Sequence, residues 1–438
     1  MKKTILISAV GLLVATACSS DEVLRENTNT AAEPTIKFNT LVQNNTRAEA
    51  DKTTLNAEGQ SIRVDAFTKD GYAYYYYFGG KNDDNTSGEL AKFDKDSETF
   101  KMVNTYYWPD EALYFVAWWP ATIAPEYHEA TVNNKTRYTA HRIQLTNEML
   151  KNKTDVMVAA STAEHPYYWS TAHPLTFRHL FAQMIVQAKN AATEYNVEIK
   201  EVALRYMSST AAYDGGCEMP TGKSEFDQNH ICIKINLEGE RADAAFFNSD
   251  SFVKDCDLSE SASGVCAYKE TKDQAITLNN PDQFTTLVGE TEGGTLKNGF
   301  FMLDQDFGNT QGYSSPWDGS ENLNGSYLSM KVKLTKNDGN NTQIYPDSKH
   351  ADEDGYGWIA IPVFQTLKNI LAGNKYIVNV TFTNDGAGQI PPGDDVDPGK
   401  PVLGKPIFFS VDCAGWVNNE VTATWESGNT GSQTVENQ

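Results

Sequence analysis

Along much of this chain, apolar side chains return at every second residue. Ser326–Lys336 sets Leu328, Met330, Val332 and Leu334 on one face, with Ser329, Lys331 and Lys333 on the other. Lys375–Asn384 does the same with Tyr376, Val378, Val380 and Phe382, and Ser61–Asp70 with Ile62, Val64 and Ala66. Phe177–Lys189 carries the alternation through Leu180, Ala182, Met184, Val186 and Ala188. A period of two belongs to half-buried strands, whereas an amphipathic helix repeats near 3.6. Pro362–Leu371, followed by Gly373, is the best helix candidate. The spacing predicts an all-β protein. Its 11% aromatic content and many Asn, Asp, Gly and Ser turns suit β-sandwich domains.

The length of 438 residues suggests at least two domains. Asn190–Asn196 follows one strong strand and precedes another at Val197–Met207, so a boundary is expected there. It separates an N-terminal domain, 34–192, from a C-terminal domain, 193–421. Gln389–Pro401 reads as an extended Pro/Gly/Asp-rich loop, and 422–438 as a flexible polar tail.

The first residues read as an export signal. Lys2 and Lys3 precede an uncharged, mostly apolar run from Ile5 to Ala17, too short to span a bilayer, for which about 20 residues are needed. Ala15, Thr16 and Ala17 lead to Cys18, the position of a lipobox cysteine. Residues 1–17 are therefore expected to be a signal peptide and 18–33 a tether lipidated at Cys18. A diacylglycerol there anchors the chain to membrane lipid without a spanning segment. The formal charge of −22 argues against nucleic acid as a partner.

Five cysteines remain beyond Cys18: Cys217, Cys232, Cys256, Cys266 and Cys413. Cys217–Cys232 and Cys256–Cys266 are the local pairings, which would leave Cys413 free. None has metal-ligand spacing. His165, His173 and His179 fit no common ligand pattern, and Asp83, Asn85, Ser87, Gly88 and Asp94 copy part of a calcium loop without its flanking helices. No nucleophile elbow, zinc-protease helix or phosphate loop occurs, so no metal, cofactor or enzymatic activity is expected.

Several segments together resemble the fimbrillin family of bacterial pilins. These are Thr35–Ala48 (TIKFNTLVQNNTRA), Tyr107–Pro120 (YWPDEALYFVAWWP), Asp155–Ser161, Leu175–Ala188, Gly373–Thr383 and Pro406–Trp416. The resemblance implies two transthyretin-like β-sandwich domains in tandem and a role as an adhesive fimbrial subunit at the cell surface, bound to the outer membrane or built into a fimbrium. It also implies a cut between Arg47 and Ala48 that frees the first strand, with Ile36, Phe38 and Val42 leaving a groove. A neighbouring subunit's last strand would fill it, and here the matching donor side chains are Ile407, Phe409 and Val411.

A second reading is a surface lipoprotein that never polymerises and binds a glycan or host ligand. The aromatic run Tyr72–Phe78 and the pair Trp118–Trp119 could then form a sugar-stacking platform, although alternate aromatic residues in strands ordinarily face a core.

Overall fold

In the computed structural model, the described residues are 35–42, 52–70, 73–80, 87–132, 135–163, 171–205, 207, 211–215, 231–235, 268–292, 295–303, 305–306, 316–320, 325–367, 369–392, 396–415 and 421–425. The fold is all-β, as the alternation implies. Two short helices, α1 (Lys52–Leu55) and α2 (Asn147–Lys151), and a 3-10 turn at Val363–Gln365 are the helical exceptions among these residues. Thr146 caps α2, its Oγ1 accepting the Met149 N–H at 3.3 Å.

The first group of strands is β1 (Lys37–Val42), β2 (Ser61–Asp70), β3 (Ala73–Phe78), β4 (Glu89–Asp94), β5 (Thr99–Met102) and β6 (Leu113–Trp119). It continues with β7 (Glu126–Val132), β8 (Lys135–Leu145), β9 (Met157–Ala163) and β10 (His173–His179). Seven of them close on themselves. The order β2-β4-β5-β1-β10-β9-β6 returns to β2 because β6 pairs with β2 from Arg63↔Trp118 to Phe67↔Tyr114. A closed ring has no edge strand within it and encloses its own core. That core includes Phe38, Leu55, Ile62, Val64, Phe100, Phe115, Met157, Leu175 and Phe177. Strand β3 leaves the ring from the far half of β2 and leads to β8, which also pairs with β7 and β13 (Ala211–Gly215). Strand β14 (Ile231–Ile235) extends β13.

The second group holds two sheets. One runs β16 (Thr285–Val288), β11 (Ala182–Asn190), β25 (Asn374–Phe382), β26 (Phe408–Gly415) and β27 (Val421–Trp425), with β19 (Phe300–Met302) also on β11. The other runs β15 (Lys269–Thr277), β12 (Tyr195–Arg205), β21 (Tyr327–Lys336) and β22 (Gln343–Tyr345), with β23 (Gly357–Ile361) also on β21. Met184, Val186, Val378, Val380, Phe409 and Val411 of the first sheet share a core with Val197, Ile199, Leu328, Met330, Val332 and Ile359 of the second. Trp118, Ile143, Leu150 and Val156 from the first group join it, so apolar packing continues across the junction.

Three expectations need correction. Phe177–Lys189 is two strands rather than one: β10 ends at His179, Leu180 and Phe181 carry the chain over, and β11 joins a different sheet. The change of sheet thus falls ahead of the 192/193 boundary, and β11 belongs with the second group. In the other direction, β13 and β14 lie beyond residue 193 in sequence but pair into the first group. Finally, Pro362–Leu371 forms one 3-10 turn and then β24 (Asn369–Ile370). Its buried Val363, Phe364 and Ile370 imitate helical spacing while lying on separate elements. The tail 426–438 lies outside the described residues.

One topological feature recurs. Strand β1, the first of its group, runs parallel to β10, which ends that ring's chain path, in the register Phe38↔His173 to Val42↔Phe177. Strand β11, the first of the second group, runs parallel to the late strand β25, from Gln183↔Lys375 to Asn190↔Phe382.

Candidate functional site

The segment with the most distinctive placement is β1. Its sequence alternates, and so does its burial: Ile36, Phe38, Thr40 and Val42 point into the ring, while Leu41 on the opposite face is 46% exposed. Strand β5 flanks it on one side through Lys37↔Lys101 and Phe38↔Phe100, and β10 on the other through five register pairs. The N–H of Ile36 donates to the carbonyl of Tyr106 at 2.8 Å, and Thr35 bridges to Tyr107. Among the described residues β5 pairs with only the first two residues of the strand, so its far half depends on β10 and on the core.

Inside the ring, Phe38 meets Phe115 edge-to-face at 5.2 Å between centroids. It also stands 6.4 Å from the imidazole of His173, its own register partner. His173 is buried among Phe38 of β1, Phe115 of β6 and Trp108 of the preceding loop, and its Nε2 bonds to the Ser161 hydroxyl of β9 at 2.9 Å. Burial lowers its pKa to about 4, so the ring is neutral at pH 7. Thr40, which the sequence reading passed over, continues the inward period, and its hydroxyl donates to Asn56 Oδ1 just beyond α1. The signal was available in the register of Ile36, Phe38 and Val42.

Both ends of the segment after β1 are tied down. Val42 is 7% exposed at one end and Leu55 of α1 is fully buried at the other, both in the ring core. Arg47 and Ala48 lie between these anchors and outside the described residues, as does Cys18.

The expected donor side chains do not stand ready for a neighbour. Ile407, Phe409 and Val411 are 2%, 1% and 2% exposed and are built into the chain's own second core. Strand β26 is bonded to β25 from Asn374↔Gly415 to Thr381↔Phe408, and to β27 on its other side. Alternation marked these residues as buried but could not say in whose core. Phe408, facing away, is 38% exposed.

The other candidates resolve as structural groups. Trp118 is fully buried, its Nε1 donating to the Ile123 carbonyl at 3.0 Å, and Trp119 donates to Gln60 Oε1 at 3.0 Å. Phe78 faces the ring core and Tyr76 packs on Phe67 with centroids 5.0 Å apart. Tyr77 and Tyr107 remain exposed, the Tyr77 hydroxyl donating to the Tyr107 carbonyl at 2.6 Å. His179 bonds through Nδ1 to Asp155 at 2.7 Å, and His165 lies outside the described residues. No group of three His, Cys, Asp or Glu suited to a metal occurs among the described residues. Asp83 and Asn85 lie outside them, while Asp94 pairs with Lys101. Cys413 is a half-buried free thiol; Cys217, Cys256, Cys266 and the side chain of Cys232 lie outside the described residues.

The model of the family described as fimbrillin-like matches residues 46–393, most of the chain. The chain belongs to the fimbrillin-like family. The match opens beside Arg47 and closes at Gly393, so β1 and β26 flank the family's matched region. Among solved structures, this fimbrillin-like chain is similar to a fimbrial protein from Bacteroides vulgatus ATCC 8482, at 14% identity and a TM-score of 0.43, covering 87% of this chain and 99% of that one. A cell-adhesion candidate from Bacteroides uniformis ATCC 8492 is similar at 12% identity and a TM-score of 0.37, covering 88% and 100%. Another from Bacteroides eggerthii DSM 20697 reaches 14% and 0.38, covering 89% and 98%. At these TM-scores, membership rests on the sequence match alone. No curated protein matches the chain.

Proposed function

We propose that this chain is a subunit of a surface fimbrium that contributes to adhesion, exported with a lipid on Cys18 that holds it at the outer membrane. Its two groups of strands would act as tandem transthyretin-like sandwiches, a reading supported by the shared parallel pairing of β1 with β10 and of β11 with β25. Assembly proceeds by strand exchange after a cut between Arg47 and Ala48.

The observation that carries this reading is the place of β1 in a closed ring. Removing it opens the closed seven-strand ring and leaves two edges, at β5 and β10, beside an apolar trough. A strand from another subunit restores the ladder and fills the sites of Ile36, Phe38 and Val42, each worth about 1.5–3 kcal/mol when buried. Before the cut, the chain's own β1 occupies that trough and the subunit is inert. The cut alone does not eject β1, because Val42 remains seated on one side and Leu55 on the other. It severs the covalent link, and the incoming strand does the displacing. Because Ile407, Phe409 and Val411 are built into the chain's own core, the donor in this reading is β27, which pairs with β26 at the end of its sheet.

Brief trypsin treatment of the lipid-free protein, followed by N-terminal sequencing and a non-boiled gel, tests this. A new terminus at Ala48 with a ladder of detergent-resistant oligomers, both lost in Arg47→Gln, is the expected result. A chain cut at Arg47 that stays monomeric would instead support a non-polymerising lipoprotein that binds a glycan or host ligand. Exposed Tyr77 and Tyr107 would then be the first residues to replace.

A further inference from the structure

We infer that the two groups of strands form one rigid, cooperative body, joined along the outer face of β6 and β9 and latched by α2 and Lys153, so that neither core unfolds without the other. Folded units on one chain ordinarily meet over modest, partly polar interfaces and move relative to each other. The junction here departs from that in three ways.

Its first feature is a wall lined on both faces. Strands β6 and β9 pair in the register Ala117↔Ala159 and Trp118↔Val158. Phe115, Ala117, Met157 and Ala159 belong to the ring core, whereas buried Trp118 and Val158, one residue out of phase, belong to the core of the second group. Parting the groups would expose Trp118, Val158 and the apolar side chains packed with them. The wall that holds Phe115 against Phe38 is thus also a wall of the second core.

The second feature is the latch. Helix α2 lies against β19, with Leu150 buried in the second core. Just beyond it, Lys153 Nζ donates to the Asn298 carbonyl at 2.6 Å and stands 3.9 Å from a carboxylate oxygen of Glu270 in β15. The acceptor is held stiffly. Asn298 has φ +59° and directly follows the hairpin of β17 (Glu290–Glu292) and β18 (Thr295–Lys297). A Cβ on Gly299 would lie 2.3 Å from the Met184 carbonyl of β11, so the turn sits directly on that strand. Lys375 of β25 fastens the same hairpin, its Nζ donating to the Leu296 carbonyl at 2.7 Å.

The third feature is the path of the chain. It leaves the first group at Leu180, whose N–H still donates to the Val156 carbonyl at 2.8 Å, and enters the second at Phe181, 5.9 Å from the ring of Phe301. After β12 it returns to the first group as β13 and β14, and then crosses again to β15. Closely packed side chains with several covalent passages transmit strain instead of bending. In a fibre that enters at β1 and leaves at β27, a use that rests on the strand-exchange reading, load would cross the subunit without a hinge at its middle.

The test is hydrogen exchange across a urea series in the full, uncut chain, comparing amides of β2 with amides of β21. The wild type should lose protection in both at one urea concentration. Leu150→Ala combined with Lys153→Met empties the latch and should separate the two losses by about 1 M urea. A wild type in which either strand loses protection first, or a double variant in which both are still lost together, overturns the inference. Should the double variant fail to fold, amide nitrogen relaxation of the wild type decides. A single overall tumbling time for both groups is expected, and two distinct times overturn the inference. Because each measurement is made on the uncut monomer, a failure of strand exchange leaves all of these results standing.

Discussion

Phe38 and Phe115 meet edge-to-face across the inside of the ring, 5.2 Å apart and inclined at 82°. One comes from β1, the first strand of the ring, and the other from β6, which closes the ring against β2. Their contact couples the seating of the first strand to the integrity of the core behind it. Truncating Phe38 to Ala should cost about 3–5 kcal/mol, the range for buried phenylalanine. Urea unfolding of the uncut chain should show this as a lower midpoint. The β1 amides should exchange through a partial opening well before the global transition. Leu41→Ala, on the exposed face of the same strand, should change neither. If both substitutions cost the same, Phe38 is not the anchor described.

The alternation of the sequence made much of this fold legible. Ser61–Asp70 is β2 at the same bounds, β21 lies within the strand expected at 326–336, and β25 matches the one expected at 375–384 but starts one residue earlier, at Asn374. Side-chain period reports which face of a strand is buried, and that property is local. It does not report which strand lies alongside. For that reason Leu180, Ala182 and Met184 kept perfect alternation across a change of sheet, and the alternation of Ile407, Phe409 and Val411 marked a buried face without revealing that the core they enter here is the chain's own. The placement of β1 between β5 and β10 was out of reach for the same reason: both pairings join residues distant in sequence.

The loop joining β3 to β4 begins and ends on glycines that the neighbouring core demands. Gly88 has φ +70°, and a Cβ there would lie 2.5 Å from Cη2 of buried Trp118. Gly59 also has a positive φ, +87°, yet a Cβ there would meet nothing within 4 Å. Gly59→Ala should therefore show the backbone cost alone, about 1–2 kcal/mol. Gly88→Ala should exceed it, because Trp118 is fully buried and holds its indole N–H on the Ile123 carbonyl. Thermal unfolding of the two variants side by side measures the difference. Equal losses would mean that the indole yields easily.

Cys413 sits in β26 opposite Tyr376, half-buried, and burial pushes its thiol up despite a hydrogen bond from that tyrosine. Thiolate is the reactive form. Site-mapped alkylation at pH 7 should label Cys413 at least about tenfold more slowly in the folded chain than in urea, since both access and ionisation are reduced. Labelling at the rate of the unfolded chain would show that β26 leaves its sheet readily, and would reopen Ile407, Phe409 and Val411 as donor side chains.

The outer face of the second group carries one dense ionic cluster. Lys331 of β21 reaches Asp352 at 2.7 Å, Asp354 at 2.9 Å and Glu201 of β12 at 3.6 Å, pinning the loop between β22 and β23 onto the sheet. Burial works to raise the Asp354 pKa, but hydrogen bonds from Lys200 and Lys331 and from the Tyr356 N–H outweigh it and bring it down to about 2. A carboxyl lowered in the folded state stabilises above its unfolded value, near ~3.9, and that contribution disappears as pH falls through about 2. Lys331→Met keeps the side-chain stem and removes the charge. It should lower stability at pH 7 by about 1–3 kcal/mol, the range for hydrogen bonds to charged groups. It should also flatten the acid limb of the stability curve between pH 4 and pH 2, because Asp354 would titrate nearer its unfolded value. Chemical denaturation across that range distinguishes this from simple lost packing, which would lower the curve without changing its slope. An unchanged slope would mean that Lys200 alone holds Asp354 down, and that the loop is fastened from β12 rather than from β21.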